Sequence, residues 1–139
     1  MPSKTHAPGS ADDWLRYAKS DLALARIEKP DGVLLENLCF HTQQAAEKAL
    51  KAALIFVEID YPKTHNIRTL LDLIPADIDI PKDVEESVIL TDYAVETRYP
   101  GNSESVDEEE LRQAIGLAEA VRYVSSTNSR KSVCKTRSR

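Results

Sequence analysis

Apolar residues recur at three- and four-residue steps along most of this chain, and no strand-like alternation of useful length appears, so the pattern predicts helices throughout. Residues 1–10 (MPSKTHAPGS) carry Pro, Ser and Gly without an apolar period and read as a flexible leader. From Ala11 onward Trp14, Tyr17, Ala18, Leu22 and Ala25 mark a first helix, with Asp12 and Asp13 at its positive end, finishing before Pro30-Asp31-Gly32. A second helix spans about Val33 to Ile59, free of Gly and Pro and rich in Ala, Leu, Glu, Lys and Gln. One broad face of it collects Leu35, Leu38, Ala45, Ala46, Ala49, Ala53 and Phe56. The opposite side collects Gln43, Gln44, Glu47, Lys48 and Lys51. Small alanines at successive turns let a neighbouring helix approach closely, which suits antiparallel packing.

Beyond the break at Tyr61-Pro62, Ile67, Leu70, Leu71 and Ile74 predict a short third helix stopped by Pro75. After a loop over residues 76–81, a fourth helix is expected from about Lys82 to Thr97, with Val84, Val88, Leu90 or Thr91, and Val95 inward and Pro100-Gly101 as its end. The acidic run Asp107 to Glu110 favours the start of a fifth, whose core stripe is Leu111, Ile115, Ala118, Val121 and Val124. The expected fold is all-α, an up-and-down helical bundle of about five helices over residues 11–125, with residues 126–139 as a basic, disordered tail.

Length and composition sharpen this picture. At 139 residues the chain fits one ordinary domain and leaves no room for a second catalytic one, and its 42% apolar and 29% charged content is globular. Neither an apolar run of membrane-spanning length nor a signal-peptide core is present, so a cytoplasmic protein is expected. Cys39 and Cys134 cannot build a disulfide framework, and no Cys/His cluster has metal-ligand spacing; reduced thiols, no metal and no cofactor are expected. The net charge of −5 is unevenly placed, because Arg130, Lys131, Lys135, Arg137 and Arg139 fall in the tail with no acid. Without those five, 13 basic residues face 23 acidic ones, a body charge of −10. Broad electrostatic binding to duplex nucleic acid is therefore excluded, and any such contact must be local.

Three constellations carry candidate chemistry. His41, Gln44, Lys48 and Lys51 lie at offsets of three, seven and ten on the second helix, forming one ridge suited to a phosphate or nucleotide, with His41 as acid or base. The same residues also read as ordinary surface, Glu47 and Lys51 making an i,i+4 pair. Arg98, in Tyr93-Ala94-Val95-Glu96-Thr97-Arg98-Tyr99-Pro100-Gly101, can fork onto a phosphate beside Tyr93 and Tyr99, or simply complement a helix dipole. His65, within Pro62-Lys63-Thr64-His65-Asn66, either joins a site or packs at a helix entrance that Thr64 or Asn66 caps.

Trp14 and Asp21-Leu22, CFHTQQAAEKALKA from Cys39 to Ala52, PKTHNI from Pro62 to Ile67, and YAVETRYPG from Tyr93 to Gly101 together resemble prokaryotic HEPN-domain proteins over residues 11–125. The resemblance implies a commonly dimeric bundle, often encoded beside a minimal nucleotidyltransferase as a toxin–antitoxin pair. In catalytic members it implies a metal-independent ribonuclease whose signature arginine is followed, after four to six residues, by a histidine. Arg98 matches that arginine. No histidine follows; Ser103, Glu104, Ser105 and Val106 occupy the window, and serine cannot exchange a proton at neutral pH as imidazole does. Three functions stay open: a ribonuclease using Arg98 with His41 or His65; a non-catalytic homodimer holding a nucleotide, RNA or an acidic segment of its nucleotidyltransferase partner through Arg98, Lys48 and Lys51; and a helical adaptor whose polar residues only solvate the bundle.

Overall fold

The computed structural model describes residues 9–94 and 106–137, with side chains described through Thr127 in the last helix. Its elements are α1 (Ala11–Arg26), α2 (Leu35–Phe56), α3 (Ile67–Asp72), α4 (Lys82–Glu86) continuing into a 3₁₀ segment (Ser87–Ala94), and α5 (Glu108–Arg137). The described residues are all helix and connection, an all-α bundle as the periodicity predicts.

α2 is the axis of the bundle, packed against α1 on one side and α5 on the other. Ala45, Ala46, Ala49 and Ala52 on α2 are completely buried, so neighbouring backbones approach it closely. Leu22, Leu54, Ile67, Leu70, Leu90 and Val121 fill the remaining interior. The central position of α2 overturns the division into an apolar and a polar side. Gln43, Glu47 and Lys51, all from the polar side, are buried as well.

Local chemistry explains the helix ends. Ser10 Oγ accepts from the Asp13 amide and starts α1, and Asn66 Oδ1 accepts from the Arg68 and Thr69 amides and starts α3. α2 closes with the paired hydrogen bonds of a Schellman turn, Ile59 N–H to Leu54 O and Glu58 N–H to Ile55 O. Glu58 adopts the left-handed conformation this requires, with φ of 58°, where glycine is usual. The turn sends residues 59–66 back along α2 and so delivers His65 to it.

The fourth helix differs from expectation. Regular α-helix stops at Glu86, and the winding tightens to 3₁₀ from Ser87 to Ala94. β-branched Val88, Ile89 and Thr91 favour α-helix weakly, and the Ser87 hydroxyl donates to the Val84 carbonyl in competition with the helical ladder. With a three-residue period, Ser87, Leu90 and Tyr93 eclipse one another and all three are buried. The residues expected from 95 to 97 in this helix lie outside the described ones. At the far end, α5 carries its helical backbone through Arg137, over a segment expected to be a disordered tail; no Gly or Pro follows Gly116 to stop it.

Burial also silences Cys39. It is fully enclosed, and its thiol is pushed up to about 12, first by burial and then by the negative charge of Glu110, against a smaller opposing hydrogen bond with Tyr93. In a Cys134→Ser variant, Cys39 is expected to react with a chromogenic disulfide at neutral pH roughly a thousandfold more slowly in native protein than in denaturant. Equal rates in the two conditions would show that the thiol is not enclosed.

Candidate functional site

Asp21 lies on the buried stripe of α1 with Ala18, Leu22 and Ala25, where a carboxylate must find partners or pay heavily in desolvation. It finds two on α2. Oδ1 is 2.9 Å from His41 Nδ1, and Oδ2 accepts from Lys48 Nζ at 2.7 Å. The pattern repeats further along α2. Glu47 Oε1 is 3.0 Å from His65 Nδ1, and its Oε2 accepts from Lys51 Nζ at 2.7 Å. Each unit is one buried carboxylate bridging an imidazole and an ammonium, and the two ammonium groups, those of Lys48 and Lys51, belong to successive turns of one helix.

The second unit is tied down further. Gln43, completely buried, donates from Nε2 to Glu47 Oε1 and to the His65 backbone carbonyl, both at 3.0 Å. Gln44 donates in turn to Gln43 Oε1 at 2.7 Å. Lys51 Nζ lies 5.3 Å from the Trp14 ring centre and 5.7 Å from that of Tyr61, so aromatic faces complete its shell. Burial pushes the Glu47 carboxyl upward, but hydrogen bonds from Lys51, Gln43 and His65 outweigh it and hold the group below its ordinary value. The charges within the network balance, two carboxylates against two ammoniums. Both histidines keep an outlet, since the His41 side chain is 31% exposed and that of His65 69%.

An acceptor-only carboxylate on Nδ1 selects the tautomer with a proton there and leaves Nε2 with a lone pair. This is the arrangement of a positioned general base. Lys48 and Lys51 serve inside it as counterions to Asp21 and Glu47.

The ridge His41, Gln44, Lys48 and Lys51 is thus assembled as the spacing predicts, but as part of a buried network, and His65 joins it from outside α2. Tyr93 does not. The 3₁₀ winding turns it into the core, where its hydroxyl donates to Glu110 Oε2 and burial followed by that bond raises its pKa. Its proposed stacking role is replaced by a structural one between the 3₁₀ segment and α5. Arg98 and Tyr99 lie outside the described residues. Asp21 and Glu47 were missed as site residues. Asp21 had a legible signal, an acid on an apolar stripe; Glu47, among polar neighbours, had none. Among the described residues no group of three or more His, Cys, Asp or Glu is arranged to hold a metal ion, and no helix is long and apolar enough to cross a membrane.

A search of curated proteins finds no match. Among solved structures, the crystal structure of TT1696 from Thermus thermophilus superposes with a TM-score of 0.76 at 30% identity, covering 86% of this chain and 98% of that one. The model of the HEPN domain matches residues 11–127, the whole span from α1 through the side chains described in α5. With sequence match and fold in agreement over that span, the chain belongs to the HEPN family.

Proposed function

We propose that this HEPN-domain protein is the helical, homodimeric partner of a minimal nucleotidyltransferase in a toxin–antitoxin-type pair, and that it cleaves RNA without a metal. The observation carrying the catalytic part is the repeated carboxylate bridge, which holds Nδ1 of both His41 and His65 on a carboxylate while each imidazole side chain stays partly exposed. His41 and Glu47, one from each bridge and both on α2, are separated by roughly 9 Å of helix rise. In the reaction, one imidazole takes the proton of the substrate's 2′-hydroxyl at Nε2. The 2′-oxygen attacks the adjacent phosphorus, the bond to the 5′-oxygen breaks, and the other imidazole protonates that leaving oxygen. The products are a 2′,3′-cyclic phosphate and a free 5′-hydroxyl. Arg98, assigned by resemblance, carries the charge that develops on the phosphorane oxygens.

One observation favours a second reading, a non-catalytic nucleotide-binding dimer. The histidine that would follow Arg98 is replaced within 103–106, so the catalytic imidazoles must come from elsewhere in the chain. Incubating purified protein with single-stranded RNA, with and without chelator, separates the two. The expected result is chelator-insensitive cleavage to cyclic-phosphate ends, lowered by about 10²–10⁴ in His41→Ala and in His65→Ala, nearly abolished in Arg98→Ala and weakened in Arg98→Lys. Nucleotide affinity without cleavage establishes the second reading. Neither cleavage nor affinity overturns both.

A further inference from the structure

The first turns of α1 carry a cleft that the proton-transfer network does not occupy. Among the described residues Gly9, Asp13, Trp14 and Tyr17 line it, and its volume is about 240 Å³. Trp14 and Tyr17, three residues apart, share one face of the helix and both line the cleft. Tyr17 is 52% exposed, a large aromatic surface left in water. The cleft also touches the network from behind. Lys51 Nζ is 5.3 Å from the Trp14 ring centre and Lys48 Nζ 5.7 Å from that of Tyr17, while the exposed Arg16 guanidinium lies 5.1 Å from Tyr17.

We infer that this cleft is a base-reading subsite that selects guanine in single-stranded RNA, an inference that rests on reading the α1–α2 face as an RNA site. Aromatic faces stack any base. Selection comes from Asp13, the charged residue among the described ones lining the cleft, whose carboxylate only accepts hydrogen bonds. Guanine offers two adjacent donors, N1–H and the N2 amino group, that match two carboxylate oxygens. Adenine and cytosine set a single amino group beside a ring acceptor, and uracil flanks its one N–H with carbonyls that a carboxylate repels. Asp13 Oδ1 now accepts from Arg16 at 3.2 Å. The pair's guanidinium end is 69% exposed and the two residues form an i,i+3 helix pair, a weak kind of interaction, so a base can replace it and release the guanidinium toward a phosphate.

Trp14 is the chain's one tryptophan, so its fluorescence reports this cleft without labelling. The full-length protein is titrated with 5′-GMP, 5′-AMP, 5′-CMP, 5′-UMP and base-free ribose 5-phosphate. The expected result is saturable quenching by GMP at concentrations about tenfold or more below the other nucleotides, and none by ribose 5-phosphate. Tyr17→Ala should weaken GMP about tenfold, and Asp13→Asn should remove the preference while the protein stays folded. Equal responses to all four nucleotides, quenching by ribose 5-phosphate, or no saturable response overturns the subsite. RNA cleavage that persists without a GMP response leaves the proton-transfer reading intact and sinks only this one. A selective GMP response without cleavage does the reverse.

Discussion

Replacing Glu47 by alanine is expected to lower the unfolding free energy by about 3–5 kcal/mol, because the variant keeps a buried Lys51 ammonium with no counterion. Lys51 is only 9% exposed at its side chain and cannot reach water easily. Gln43, fully buried, also loses an acceptor for its amide. A domain of this size has roughly 5–15 kcal/mol to lose, so denaturant titration should show a lower midpoint, in the extreme an unfolded protein. The Glu47→Leu/Lys51→Met double variant separates a broken pair from lost packing. It removes both charges together and should recover most of the loss, since apolar replacement of a whole buried pair is often neutral or better. A double variant as unstable as Glu47→Ala would show that packing, not an orphaned charge, dominates.

The same carboxylate sets the acid limb. Its folded pKa is held below the ordinary 4.5, so in the window between the two values the unfolded chain binds more protons and stability rises with pH. The contribution is complete above about 4.5 and is lost as pH falls through the folded value. Melting temperatures recorded downward from pH 7 should therefore fall less steeply below that point for Glu47→Gln than for the parent. Coincident acid limbs would remove Glu47 from the account.

How far the molecule was legible follows from what each pattern measures. Apolar period located α1, α2 and the start of α5 closely, α2 being expected from Val33 to Ile59 and found from Leu35 to Phe56, because long runs without Gly or Pro leave the backbone few alternatives. The period failed after Glu86, where β-branched residues and Ser87 weaken the α-helical ladder and a tighter winding redirects Tyr93 inward. It failed again on the polar side of α2. A helical wheel assumes one packing partner, whereas α2 has α1, α5 and the returning segment 59–66 around it, so Gln43, Glu47 and Lys51 are enclosed by elements the wheel does not contain. The ridge from His41 to Lys51 was visible as a spacing. Its conversion into two bridged units depends on Asp21, twenty residues before His41, and on His65, eighteen after Glu47, which no local window spans.

Asp21→Asn is expected to reduce RNA cleavage by about 10²–10⁴ while the protein stays folded. Asp21 Oδ1, 2.9 Å from His41 Nδ1, accepts only and so keeps the ring proton on Nδ1. An asparagine can turn its amide nitrogen toward the ring instead, donating to Nδ1 and moving the ring proton to Nε2, the position that has to receive one from the 2′-hydroxyl. Geometry survives and the tautomer is wrong. The substitution also takes the counterion from Lys48, but that side chain is 20% exposed and can turn toward water, so the stability loss should be smaller than for Glu47→Ala. His41→Ala should cost as much activity as Asp21→Asn, and the double variant no more than either, because the two groups act as one unit. Lys48→Met tests the remaining member. If Lys48 only neutralises Asp21, cleavage should change by no more than a few fold, since the hydrogen bond between Asp21 and His41 is still made. Full activity in Asp21→Asn, or losses that multiply in the double variant, would mean that His41 works without its carboxylate and that Asp21 serves the packing of α1 on α2 alone.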